Sequence, residues 1–546
     1  MNLFSLAAQS GMNTWVLGGL IFIYMLGIAY LGYRGFRKTA GKQDYLLAGR
    51  SANPFVMAMS YGAAFISTSA LVGFGGVAGQ FGMGLMWLTF MNIAIGIVFA
   101  FLVFGYRTRR IGAALEANTF PEFLGNRFQS NGIKIFIALI IFLFMPLYSS
   151  VVLIGGARFL QEVMGINYGV ALTVFGAVVA CYVIFGGLKG VMYVDALMGS
   201  IMLFGMLALL GLCYWKLGGI VSAHQALTDM APLVAERMPT EAALGHRGWT
   251  VMPAFNSVWW WTLVSSLMLG VGIGALAQPQ LAVRFMTVKS GRELNRAVLV
   301  GSVFILGTVG SAYMVGALSN VFFYYSGKGI ADGISGKLAI EAAGGNPDII
   351  IPLFIRLALP GAILYIFSLT LLSAAMSTLS SLFHVTGSAI GHDLCNNLSG
   401  GKDSTLITRA GVCFGIIMSV VLGFLLPAGI IARGTAIFFG VCAAAFLPAY
   451  VAALYWKRAT VAGVWASIIT GVAASLFGLL FLHRKESAAL GICKAIFGKD
   501  ELISAHPWPF VDTFVYSLPL AIIALIVVSL LTKAPETEHL NKCFKR

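Results

Sequence analysis

Long apolar stretches separated by short polar connections run along the whole chain. Thirteen of them, near residues 14–33, 54–79, 83–106, 135–160, 168–188, 192–215, 255–281, 297–325, 360–391, 407–428, 432–455, 459–482 and 511–532, reach the roughly 20 residues that a helix needs to cross a hydrocarbon core. In lipid every backbone N–H and C=O must be paired within its own segment, so such stretches are read as helices. The pattern predicts an all-α polytopic membrane protein with thirteen transmembrane helices. The first stretch, 14–33, runs a full span and follows residues without Lys or Arg, so it is read as a retained helix and not as a cleaved signal. The connections are too short for an appended soluble domain, and the tail after residue 533 reads as a short charged end.

Composition agrees with this pattern and narrows it. Of 546 residues 59% are hydrophobic and 10% charged, against about a quarter charged in soluble domains. A disordered chain, a disulfide scaffold and a nucleic-acid-binding domain are excluded. The net charge of +15 becomes an orientation signal once it is placed. Alternating the connections puts most Lys and Arg residues on one side, in 34–50, 107–134, 284–296, 402–409, 457–458 and the tail, with Lys189 and including Arg127, Arg284 and Lys402. Basic loops stay cytoplasmic, so the N-terminus is expected outside and the C-terminus inside a plasma membrane. The seven cysteines are scattered without CxxC spacing, and His384, the one histidine well inside a span, has no second histidine at ligand spacing. No metal centre or cofactor is expected. His384 reads as a packing or water-facing residue, with a proton relay as the other reading. Glu116, Glu122 and Asp195 are too dispersed for a catalytic cluster, so no enzyme is expected; Asp195 reads as a loop-ordering or helix-N-terminal acid.

Two stretches look interrupted. The second carries Ser67, Thr68 and Ser69 at its middle, followed by Gly73, Gly75, Gly76 and Gly79. Three successive hydroxyls compete with the helix ladder for backbone groups, which weakens the helix at mid-membrane. The seventh has Ser265 and Ser266, then Gly270, Gly272 and Gly274, and lies five helices later. Broken segments at matching places in two halves point to an inverted-repeat secondary transporter, with repeats over 54–216 and 255–456, an extra helix at 14–33 and extra helices over 459–532. The ninth stretch repeats Ser373, Ser377, Ser380, Ser381 and Ser388 at helical spacing with Thr378. Ala374 precedes Ser377 and Thr378 by three and four residues, which places one carbonyl and two hydroxyl oxygens in a single patch. A hard cation that must also leave again suits such a neutral oxygen set, and sodium is the expected ion. The competing reading is back-bonding of each hydroxyl to its own helix.

These residues resemble the sodium/solute symporter family, whose members share the inverted five-helix-repeat fold of the bacterial leucine transporter. LLSAAMSTLSSLF, at 371–383, is similar to the family's sodium-binding helix. FGGLKGVMYVDAL at 185–197, NTFPEFLGNRF at 118–128 and QPQLAVRFMTVKSGRELNRA at 278–297 resemble its other signatures, in the same order. The resemblance implies a sodium site made by the carbonyls of Ala63, Ile66 and Ala374 and the hydroxyls of Ser377 and Thr378. Where the family's proline carriers have an Asp, this chain has Phe65, so that site has no formal charge.

By the same resemblance the solute would lie among the second, third, seventh and eleventh spans. The residues offered there are Ser67, Thr68, Ser69, Ala70, Ser265, Ser266, Val271, Gly272 and Gly274. The scarcity of amides and acids disfavours a sugar. A small monocarboxylate is the first expectation, imported with sodium by alternating access; an amino acid or pantothenate-type solute is the alternative. A proton-coupled carrier would need a titratable midplane residue, and 51–106 is uncharged.

Overall fold

The computed structural model describes residues 14–38, 42–325, 334–395, 405–427 and 429–544. Residues 1–13, Lys402, Lys545 and Arg546 lie outside the described residues, as do the side chains of Lys42, Cys181 and Phe185. The described chain is helical throughout, its one extended pairing being a parallel bridge between Ala52 and Val288.

The helices used below are α1 (Thr14–Arg37), α2 (Pro54–Phe65), α3 (Asn131–Met164), α4 (Tyr168–Lys216), α5 (Pro279–Phe285), α6 (Gly361–Ser388), α7 (Ile431–Tyr455) and α8 (Phe514–Leu531). Among the described residues eleven helices are long and apolar enough to cross a membrane. That is two fewer than the apolar stretches, for local reasons. Stretch 54–79 is cut, leaving α2 as a shorter apolar helix and a second half that continues into the next stretch as Ser69–Ala114. Stretches 168–188 and 192–215 are the two arms of α4, which turns at Gly187 (φ +58) and leaves Tyr168–Ala180 as a shorter apolar helix. A Cβ at Gly187 would lie 2.6 Å from the Tyr45 ring, so both the backbone angle and the space call for glycine.

The first break has a clear construction. Asn53 caps α2 by accepting from the Phe55 N–H (2.9 Å), and Pro54 occupies the first turn, where its missing N–H costs nothing. The helix ends at Ile66, whose backbone is extended (φ −93°, ψ 110°). The chain restarts through a wide turn at Ser69–Phe74, with the Ser67 hydroxyl accepting from the Ser69 N–H (3.1 Å).

The seventh stretch behaves differently from the expectation. It does not break at Ser265 and Ser266 but runs through them as a widened helical segment, Thr262–Gly270, and turns extended only at Gln278 (ψ 117°) before α5. Pro279 explains the position, because proline drives the residue before it out of the helical region. Ser265 instead bonds back to the Trp261 carbonyl (2.5 Å), the arrangement hydroxyls adopt inside an intact helix.

Around these segments α7 is buried nearly all round and forms the centre, while α1 is buried along one stripe and lies at the periphery. Two basic residues assigned to loops are interior. Arg127 donates to the carbonyls of Ala453 (3.2 Å) and Trp456 (3.4 Å), and Arg284 is buried as deeply. The tail is more than a charged end. A short helix, Thr537–Phe544, docks on Arg127 with Cys543 buried and the Phe544 ring 4.9 Å from the guanidinium.

Candidate ion and solute site

The break at Ile66 frees carbonyls at the C-terminal end of α2, and α6 meets them with hydroxyls. The Ser377 hydroxyl lies 2.9 Å from the Ala63 carbonyl and 3.3 Å from that of Ala374. The Thr378 hydroxyl lies 3.2 Å from the Ala63 carbonyl and 3.3 Å from that of Ile66. Thus the Ala374 carbonyl and the two hydroxyls read from the sequence, and the Ala63 and Ile66 carbonyls implied by the resemblance, are brought together, and all five residues are buried. Each hydroxyl has a single proton to give, so two protons serve four oxygen–oxygen contacts. Lone pairs are in excess, and the negative end of the α2 dipole adds to the same sign. This is chemistry suited to a small hard cation.

One turn further along α6 lies a charged network that the sequence reading missed. Arg284 on α5 donates from Nη2 to Asp195 Oδ2 (3.0 Å) on α4 and to the Ser381 hydroxyl (2.5 Å), and from Nε to the Ser60 hydroxyl (3.0 Å) on α2. Ser60 donates onward to Asp195 (2.8 Å), and Ser380 and Ser381 donate to the Ser377 carbonyl (2.8 and 3.0 Å). Asp195 is therefore a buried partner of Arg284 and not a loop-ordering acid. The network ties α2, α4, α5 and α6 together directly beneath the oxygen cluster. The local signal available was a lone Arg in the apolar run QLAVRFM, which resembles a core segment more than a loop. His384, a turn further on, is buried with its ring 5.5 Å from that of Tyr45, a packing environment.

The residues named for the solute divide into two groups. Ser67, Thr68, Ser69 and Ala70 sit at the break. Thr68 donates to the Val152 carbonyl (2.8 Å), whereas the buried Ser69 hydroxyl has no hydrogen-bond partner among the described residues. Ser265 and Ser266 point elsewhere, toward the connection before α8. Ser265 accepts from the Asp512 N–H (3.1 Å), and Ser266 lines a separate cavity with Arg433, Glu486 and Asp512. Val271 is buried, Gly272 packs on Met91, and Gly274 abuts the Phe439 backbone, where a Cβ would approach the carbonyl to 2.4 Å. The wall beside the break is aromatic. Tyr148 on α3 stacks on Phe438 (4.7 Å between centroids) and meets Phe439 edge-on (5.6 Å), and Phe65 stacks on Phe439 at 6.3 Å. Sequence reasoning passed over Tyr148, Phe438 and Phe439, because an aromatic residue in a membrane helix faces lipid as readily as a site.

A polytopic helical protein with a helix interrupted at an oxygen cluster and crossed there by a hydroxyl-bearing helix has the architecture of a secondary transporter. Over residues 45–471 the chain matches the model of the sodium:solute symporter family, and it belongs to that family. It is 28% identical over 520 residues to the osmoregulated proline transporter OpuE of Bacillus subtilis (strain 168), covering 94% of each chain. It is 27% identical to the sodium/proline symporter 2 of Staphylococcus saprophyticus, covering 92% of this chain and 93% of that one. Its fold matches a sodium-coupled sialic acid symporter solved in a substrate-bound outward-open state, with a TM-score of 0.70 at 17% identity over 95% of this chain and 98% of the other.

Proposed function

We propose that this protein couples sodium entry to import of a small amino acid, with sodium held by the carbonyls of Ala63, Ile66 and Ala374 and the hydroxyls of Ser377 and Thr378. The observation that carries the ion assignment is the surplus of lone pairs where α2 ends against α6. Sodium bridging these helices favours the state in which the break is closed against α6, and moving one charge across 100 mV supplies about 2.3 kcal/mol toward uptake. Two repeats of five helices, over 54–216 and 255–456, rocking against each other would expose the site alternately, with the N-terminus outside.

For the solute, an amino acid replaces the monocarboxylate first expected, because both relatives reported above are proline transporters. Tyr148, Phe438, Phe439 and Phe65 offer flat apolar faces for a ring or an ammonium group. The partnerless Ser69 hydroxyl and the positive end of the helix that restarts there suit a carboxylate. Reconstitution into liposomes with an inward sodium gradient tests the whole reading. Labelled proline uptake that collapses with the sodium gradient is expected. Uptake of acetate or pyruvate in place of proline would restore the monocarboxylate; uptake blocked by a protonophore and indifferent to sodium would replace the coupling ion.

A further inference from the structure

Helix α1 precedes the repeats, lies at the rim of the bundle and contributes nothing to the oxygen cluster, yet it reaches the helix that carries the cluster. It packs along the second arm of α4, so closely that a Cβ on Gly35 would fall 2.3 Å from Gly190 Cα. From that position the Tyr24 hydroxyl extends to α6, 3.0 Å from the Ser373 hydroxyl and 3.9 Å from Met376 Sδ. Tyr24 and Ser373 are both buried. Beside this bond a cavity of about 230 Å³ has Ile21 and Met25 of α1, Val174 and Phe175 of α4, and Leu372 and Met376 of α6 in its lining.

We infer that Tyr24 is a positioning residue for the sodium site, acting through Ser373; this rests on the ion assignment proposed above. Ser373 and Ser377 are one helical turn apart, about 6 Å along α6. Ser373 is held by Tyr24 while Ser377 meets the Ala63 carbonyl. Both residues are buried and the lining of the cavity beside them is apolar, so removing the Tyr24 hydroxyl takes away a hydrogen bond that ties Ser373 to α1. The bond and the assembled oxygen cluster are present in the same structure, so the bond favours the position of α6 at which the five oxygens converge. Release of sodium requires α6 and α2 to part, and α1 opposes that movement from outside both repeats.

The test is binding of radiolabelled sodium to the purified full-length protein, which does not depend on knowing the solute. Tyr24→Phe removes one oxygen and keeps the ring. It is expected to raise the half-saturating sodium concentration roughly three- to tenfold, the scale of one buried hydrogen bond, with the amount bound at saturation unchanged. Ser373→Ala should give the same shift, and the double variant no more than either single one, because both remove the same bond. Should Tyr24→Phe fail to accumulate in the membrane, Ser373→Ala carries the test alone. Ser377→Ala serves as the control. If it shifts binding while Tyr24→Phe and Ser373→Ala do not, the positioning role is overturned and the site stands. If none of the three shifts binding, the site falls and this role with it. Shifts that multiply in the double variant would also overturn it, since the two residues would then act separately.

Discussion

The two helix interruptions differ in cause and in product. The first needs no proline: α2 stops at an extended Ile66, a serine hydroxyl covers the restart, and the freed carbonyls meet α6 in a cluster without formal charge. The second is set by Pro279 and lies twelve residues beyond the serines that suggested it. What it delivers is a guanidinium, because the short helix it starts carries Arg284 back under the first break to Ser60 and Asp195. A neutral oxygen cluster can release a cation cheaply, whereas a buried ion pair opened without replacement is expensive. On the proposed sodium reading, the first break serves exchange and the second holds the segments around it.

The sharpest attack on this contrast is on the second break. Arg284→Met leaves Asp195 buried without its partner, and a loss of about 3–5 kcal/mol is expected, read as a collapse of folded yield or of the thermal midpoint in detergent. Near wild-type stability would show that the pair does not hold the segments. Next comes a comparison of serines. Replacing Ser377 and Thr378 together with Ala should raise the sodium requirement for uptake on the order of tenfold or more, while Ser265→Ala with Ser266→Ala should leave it within about twofold. Equal effects would erase the distinction between the two interrupted segments. The smallest effect concerns Asp512, which burial pushes up to about 6 just outside α8, where its N–H meets Ser265. A carboxyl raised in the folded state contributes stability that is complete below its unfolded value near 4 and lost as pH rises through about 6. The thermal midpoint should therefore decline between those values, and Asp512→Asn should flatten that decline; an unaltered pH profile would remove Asp512 as its source.

The features legible in the sequence are those that depend on neighbours along the chain. Apolar length marks the membrane helices, the run Ser67–Thr68–Ser69 marks the first break, and the spacing of Ala374, Ser377 and Thr378 sets three oxygens on one face of α6. The carbonyls of Ala63 and Ile66 came only through family resemblance, since nothing local says which helix will face α6. Ser265 misled because a hydroxyl that bonds to its own helix looks, in sequence, like one that does not, and Ser266 because its partner Asp512 is far along the chain. Arg284 and Arg127 read as loop charge because burial of a guanidinium depends on partners distant in the chain, 89 residues away for Arg284–Asp195 and 326 for Arg127–Ala453. The aromatic wall was hidden for the same reason.

The docked tail bears on how the protein is made. Arg127 sits in a short helix near the start of the chain, and its backbone carbonyl is met by His539, 412 residues later. The Phe544 ring that covers its guanidinium comes later still. Chains are synthesised from the N-terminus at about 5–20 residues per second, so this corner stays open for tens of seconds while the remaining helices are inserted. It can close only once the helix Thr537–Phe544 has been made, so a helix late in the sequence seals one formed much earlier.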